Sequence, residues 1–145
     1  MNNNIPKINY WAVIVATFVA FVASSVWYTV FGNQYMELRG IGPNDAAAMS
    51  MSVWKIFAEI GRILILACVL AHLVVRGKVI DRKGALKLGI WLWIGFPVVL
   101  LAGSVIHDNV PWMLAAIHAG DWLVKLLLMT VILGVWAGKK EKQNA

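Results

Sequence analysis

The 145-residue chain contains one cysteine, Cys68, and only 14% charged residues. A single cysteine excludes an intrachain disulfide and offers no cysteine cluster for a structural metal. The low charge content excludes an ordinary soluble domain of this length, which would need far more polar surface. The sequence also lacks a Gly-rich phosphate-binding loop and a zinc-ligand spacing. We therefore predict neither a metal site nor a cofactor.

Long apolar stretches occupy most of the chain instead. Hydrophobic residues make up 61% of it, and the mean hydropathy is +0.74. A run of about 20 apolar residues is long enough to cross a bilayer as a helix. Four such runs occur, at about 8–31, 49–75, 85–106 and 112–137. We predict an all-α membrane protein, with residues 1–145 forming one domain that is a four-transmembrane-helix bundle.

Basic residues are distributed unevenly between the two sides of this bundle. Four spans place both termini and the basic loop 76–84 on one side. The other side carries Arg39 alone. The side with the termini carries nine basic residues: Lys7, Arg76, Lys78, Arg82, Lys83, Lys87, Lys139, Lys140 and Lys142. Because Lys and Arg accumulate in cytoplasmic loops, we expect both termini in the cytoplasm. The net charge of +6 comes from basic residues at the ends of the spans, where they set orientation. The lipid bilayer is the expected partner, and no nucleic acid is expected.

Two of the predicted spans each carry three ionisable residues at intervals of three or four. In span two they are Lys55, Glu59 and Arg62, here termed the Lys55 triad. In span four they are His118, Asp121 and Lys125, here termed the His118 triad. This spacing places each triad on one face of its helix. A charge near the bilayer midplane costs ~2.5–3.5 kcal/mol on insertion scales, so such residues usually face the bundle interior and mark binding sites or pathways.

We expect the two triads to oppose each other or to line one water-filled crevice between spans two and four. Within each helix, Glu59 can reach Lys55 or Arg62, and Asp121 can reach His118 or Lys125. Because these spans run in the same direction, Glu59 could instead meet Lys125 and Asp121 could meet Arg62. Three interpretations stay open. The charges form a structural ion-pair network, they bind or pass a small polar or amphipathic species, or they face a partner subunit. Three positive groups against two carboxylates would suit an anionic ligand.

A non-enzymatic binding protein is the favoured function, and the alternative is an intramembrane enzyme acting on a lipid or quinone-like substrate. In that enzyme Glu59 or Asp121 would be the general acid or base, and His118 would share the proton transfer. A homo-oligomer is also expected. It would form through a stripe of small residues in span one, Ala12, Ala16, Ala20 and Ser24, which lets another helix approach closely.

The first span and its exit contain Asn9-Tyr10, Trp27-Tyr28 and Phe31-Gly32. This motif and the four-span layout resemble a bacterial family of small membrane proteins classified as a domain of unknown function. The resemblance implies the fold and a bacterial inner-membrane location, and it supplies no reaction and no site residues. Trp27 and Tyr28 are expected at the outer rim above the triads, where they would act as gate residues.

Overall fold

A computed structural model describes residues 8–42, 45 and 52–143, and nearly all of these residues are helical. The helices, numbered in chain order, are α1 Tyr10–Val30, α2 Gly32–Leu38, α3 Val53–Arg76, α4 Arg82–His107 and α5 Trp112–Gln143. Helices α1, α3, α4 and α5 are each long and apolar enough to cross a membrane. The predicted all-α architecture with four spans is confirmed.

Helix α2 lies between the first two predicted spans, 8–31 and 49–75, where no helix was predicted. Helix α1 ends at Val30, and the backbone turns at Phe31, whose ring packs 4.6 Å from that of Trp27. The segment that follows contains good helix formers such as Gln, Met, Glu and Leu. Gly40, with φ of +67°, ends α2 in the left-handed conformation that glycine adopts most readily. The chain therefore folds a short helix beside the end of α1.

Two other boundaries differ from the prediction. Helix α4 begins at Arg82 because the Asp81 carboxylate accepts a hydrogen bond from the Gly84 amide, so residues 82–84 belong to the helix and not to the basic loop. Helix α5 continues to Gln143, beyond the predicted end at residue 137. Lys7 and residues 49–51, the predicted start of span two, lie outside the described residues.

Helix α5 is the centre of the bundle. It packs against α1, α3 and α4, and α1 also packs against α3. Trp27 near the end of α1 contacts Gly120 near the start of α5, so these helices are antiparallel. Arg62 in α3 lies over Trp122 in the first half of α5, and Val79, just after α3, lies beside Gly134 in the second half of α5, so α3 and α5 run in the same direction. Within the described part of the chain, α3 and α4 are not a closely packed pair.

The stripe of small residues on α1 packs inside this bundle. Ala16 and Ala20 are fully buried, and they join a core with Ala67 of α3 and Met129 of α5. The small side chains let three helices approach closely within one chain. The expectation that a second copy binds along this stripe is therefore wrong. Oligomerisation through another surface stays a prediction.

Helix α4 changes its hydrogen-bonding pattern at Pro97. Residues Ile94–Val98 form a π-helical segment, with ordinary α-helix on both sides. Proline has no backbone N–H and clashes with the preceding turn of an α-helix, and a wider turn accommodates it. Pro97 itself is buried, while Phe96 beside it is exposed. The π-helical segment packs against α5.

Candidate functional site

The middle of α5 carries a buried ion pair. Lys125 Nζ lies 2.6 Å from Asp121 Oδ2, and the two side chains are only 2% and 4% exposed. Ser24 of α1 donates its hydroxyl hydrogen to Asp121 Oδ1, with 2.5 Å between the oxygens. Both carboxylate oxygens are therefore occupied. These three residues, here termed the buried cluster, are all buried and join α1 to α5 inside the bundle.

The Lys55 triad is arranged differently. Arg62 donates from Nε to Glu59 Oε2 at 3.0 Å and from Nη2 to Glu59 Oε1 at 2.9 Å. The Arg62 side chain nevertheless remains 60% exposed and that of Glu59 34% exposed. Lys55, one turn earlier, is also exposed. This triad presents charge on the protein surface.

The expected ion pairs between spans two and four are not formed. Glu59 pairs with Arg62 of its own helix and not with Lys125, because the spacing of three residues permits a two-point Arg–carboxylate contact. Asp121 pairs with Lys125 of its own helix and not with Arg62, and Ser24 of α1 is its second partner. Of the pairings that the sequence leaves open, the two within one helix are formed, Glu59 with Arg62 and Asp121 with Lys125, and the two between helices are not.

Trp122, which was not among the predicted site residues, links the two triads. The Lys125 ammonium nitrogen lies 4.9 Å from the centroid of the Trp122 ring, and the Arg62 guanidinium carbon lies 5.9 Å from it. Cations at such distances from an indole are attracted by its ring electrons. A tryptophan next to Asp121 in a charged span was a signal that could have been used.

A groove lies between α3 and α4, with α5 forming its floor. Its volume is about 400 Å³, within the usual range for small-molecule sites. The walls are apolar throughout: Leu66, Val69, Leu70 and Leu73 from α3, Leu92, Phe96, Pro97, Leu100 and Leu101 from α4, and Trp122 and Leu126 from α5. The sequence predicted a charged crevice between spans two and four. The structure instead has an apolar groove between spans two and three.

The Lys55 triad continues directly from this groove. At roughly 100° per residue, all three triad residues fall within about 40° of the mean direction of the α3 groove residues. Arg62 precedes the groove residue Leu66 by one helical turn and contacts the floor residue Trp122. The α3 face that borders the groove is consequently charged over Lys55–Arg62 and apolar over Leu66–Leu73. The groove has a charged rim at the end nearer to α2.

Trp27 and Tyr28 lie apart from the groove and attach α1 to α5. Trp27 Nε1 donates to the Ile117 carbonyl at 3.0 Å, and the Tyr28 hydroxyl lies 2.6 Å from His118 Nδ1. Tyr35 of α2 packs edge-on against both Tyr28 and His118. These contacts are structural links near the α2 end. Because neither residue lines the groove, the expected gating role does not apply to this groove.

The family model described as "Protein of unknown function (DUF1761)" matches residues 11–134. The chain matches no curated protein and no solved structure. Since the match covers most of the sequence, the chain belongs to this family, as the Trp27-Tyr28 and Phe31-Gly32 motif predicted. The family description names no reaction, so the groove and its charged rim are the basis for a functional proposal.

Proposed function

We propose that this family member is a non-enzymatic membrane protein that binds one amphipathic molecule, a lipid or lipid-like compound, in the groove between α3 and α4. The continuity of the charged rim with the apolar groove carries this proposal. An amphipathic molecule has the same order of polarity, with an apolar tail that fits beside Leu66–Leu73 and a polar head that fits beside Lys55–Arg62. Apolar walls with a few placed polar groups are typical of ligand sites.

The exposure of the Glu59–Arg62 pair supports the proposal. Arg62 lies ~14 Å along the helix axis from the start of α3 at Val53, which places it far inside a hydrocarbon layer ~30 Å thick. Charges at this depth are costly when they face lipid tails. A polar head group beside Arg62 would replace that apolar contact with hydrogen bonds. The groove thus provides a reason for retaining exposed charges inside a membrane span.

The contacts of the two carboxylates favour binding over catalysis. Both oxygens of Asp121 are occupied by Ser24 and Lys125, and this carboxylate is not a groove wall. Both oxygens of Glu59 accept from Arg62. A general acid or base must reach the proton that it transfers. Asp121 is buried and does not line the groove, and Glu59 is held by a two-point contact with Arg62. The enzyme hypothesis therefore receives less support than the binding hypothesis.

Occupancy of the groove is testable with two neighbouring substitutions on α4. Leu100 lines the groove and is 70% exposed, whereas Val99 is 61% exposed and is not a wall residue. Leu100→Trp should displace at least two methylene groups of a bound tail, at ~0.8 kcal/mol each, and weaken binding about tenfold. Val99→Trp is the matched control.

Native mass spectrometry of protein extracted from its own membrane provides the measurement. The wild type and Val99→Trp should each retain one amphiphile, and Leu100→Trp should retain little. An equal population of the adduct on Leu100→Trp and Val99→Trp would place the amphiphile elsewhere. A wild-type protein without any adduct, even after addition of brominated phosphatidylcholine, phosphatidylglycerol and oleate, would contradict the proposal.

We also propose that the protein lies in a bacterial inner membrane with both termini in the cytoplasm, which the excess of Lys and Arg at that end supports. The charged rim then lies on the outer side of the bilayer midplane. In a Cys68→Ser background, Arg39→Cys should react with a membrane-impermeant maleimide in intact cells. Lys83→Cys should react only after permeabilisation, and the reverse pattern would invert the topology.

A further inference from the structure

We infer that the bound amphiphile is anionic, with its head group accepting hydrogen bonds from Arg62 and one acyl chain lying in the groove. This inference rests on the proposed groove site and specifies its ligand class. The shared chemistry is a carboxylate or phosphate head on an apolar chain. A free fatty acid and an anionic phospholipid both carry it.

The charge around the rim is the first argument. Lys55 and Arg62 contribute two positive charges to this face, and Glu59 contributes one negative charge. Behind the Trp122 ring, Asp121 and Lys125 neutralise each other within the buried cluster. The rim therefore has a surplus of one positive charge. An anionic head group would balance this charge, whereas a cationic one would add to it.

The donor geometry of Arg62 is the second argument. A guanidinium has five N–H donors, and two of them are directed at Glu59. The side chain remains 60% exposed, and its position is restrained by the Trp122 ring at 5.9 Å. The planar arrangement of the remaining donors suits the oxygens of a carboxylate or phosphate. Arg62 can thus bind an anion at the end of the groove nearer to α2.

The size of the groove is the third argument. A water-sized group takes ~30 Å³, so a volume of about 400 Å³ holds on the order of a dozen methylene groups. Along α3 the groove wall runs from Leu66 to Leu73, a distance of ~10 Å, and Arg62 lies ~6 Å before Leu66. These dimensions fit a single acyl chain. A phospholipid would therefore place one chain in the groove and leave its second chain in the bilayer.

Glu59 determines the direction in which a substitution should change the binding of an anion. Its carboxylate competes with the ligand for Arg62 and repels an approaching anion. Glu59→Gln should therefore strengthen the binding of an anionic amphiphile, while Arg62→Gln should weaken it. A cationic or zwitterionic ligand that uses Glu59 as its own partner would respond in the opposite direction. Hydrogen bonds to charged groups are strong enough that each effect should be about tenfold.

Quenching of Trp122 by brominated chains measures the preference directly. The full-length protein is reconstituted in phosphatidylcholine vesicles containing brominated phosphatidylcholine, brominated phosphatidylglycerol or brominated oleate. The fluorescence quenching that is lost in Trp122→Phe is the quenching of Trp122 itself, and it measures occupancy of the groove. The quenching that is lost in Trp91→Phe is the control, because Trp91 is 64% exposed and is not a groove wall. We expect an anionic preference of about tenfold at Trp122 and none at Trp91.

The variants then assign the preference to Arg62. Arg62→Gln should abolish it, Glu59→Gln should increase it, and Lys87→Gln, a basic residue on α4 away from the groove, should leave it unchanged. Equal quenching of Trp122 by all three probes, or weaker anionic binding in Glu59→Gln, would overturn the anionic assignment while leaving the groove site intact. If none of the three probes quenches Trp122, the groove site itself is overturned. If only one anionic probe quenches, its identity distinguishes a fatty acid from a phospholipid.

Discussion

The His118 triad and the Lys55 triad have similar spacing on two helices that run in the same direction, yet they differ in almost every structural respect. In the His118 triad, Asp121 and Lys125 are 4% and 2% exposed, and a third residue from another helix completes their contacts. In the Lys55 triad, Glu59 and Arg62 are 34% and 60% exposed and contact each other within one helix. The arrangement around Asp121 is closed, since its charged groups are buried and contact one another. The Lys55 triad is open, since Arg62 keeps N–H donors that are accessible at the surface.

The neighbouring helices explain the difference. The small residues of α1 bring Ser24 close to α5, so Asp121 receives a hydroxyl group in a place without room for a ligand. The corresponding face of α3 points towards α4, and these helices are separated by the groove. A charge in a membrane span therefore indicates structure or binding according to what packs against it.

The largest expected effect comes from breaking the buried ion pair. Asp121→Asn or Lys125→Met alone should lower the free energy of unfolding by ~3–5 kcal/mol, because one buried charge loses its partner. The double variant should recover most of this loss. Glu59→Gln and Arg62→Met, at the exposed pair, should each cost less than the buried variants, because a head group or water at the groove rim can solvate the charge that remains. Reversible unfolding in detergent micelles measures all of these values, and equal losses at the two pairs would remove the proposed distinction.

The next effect tests whether α1 contributes to the closed arrangement. Ser24→Ala should cost ~1.5–3 kcal/mol because Asp121 loses a hydrogen bond to a charged group. Ser25→Ala is the matched control, since the Ser25 hydroxyl is exposed and donates to the Phe21 carbonyl of its own helix. We expect the control to change stability by less than about 0.5 kcal/mol. Similar values for Ser24 and Ser25 would show that α1 does not stabilise the buried cluster.

A substantial part of this comparison could be predicted from the sequence. The four spans and the two charged faces follow from hydrophobicity and helical spacing, which are local properties. The partner of Asp121 could not be chosen in advance, because both His118 and Lys125 lie within reach on the same helix. Ser24 was known only as part of a stripe, and its contact with Asp121 depends on how α1 packs. The groove depends on the separation of α3 from α4, and Trp122 gains its position only in that packing.

Two glycines extend the comparison to the backbone beside each triad. A Cβ on Gly120 would overlap the indole ring of Trp27, whereas a Cβ on Gly61 would have no atom within 4 Å. Gly120→Ala should therefore cost ~1–3 kcal/mol through overpacking. Gly61→Ala should be neutral or stabilise the helix by up to ~1 kcal/mol, since alanine is the better helix former. Thermal unfolding in micelles would separate the two, and a stable Gly120→Ala protein would mean that Trp27 does not hold α1 against α5.

The smallest expected effect concerns whether His118 belongs to the buried cluster. Tyr28→Phe removes the hydroxyl that lies 2.6 Å from His118 Nδ1 and should cost about 1 kcal/mol. Tyr10→Phe, at a residue that is 71% exposed, is the control and should have no measurable effect. A double-mutant cycle of Tyr28→Phe with His118→Ala should show a coupling of at least ~0.5 kcal/mol. The cycle of Tyr28→Phe with Asp121→Asn should show none, because Asp121 is bonded to Ser24 and Lys125. Coupling of Tyr28 to Asp121 would instead make His118, Tyr28 and the buried cluster one continuous network, and the closed arrangement would then extend to the α2 end of the bundle.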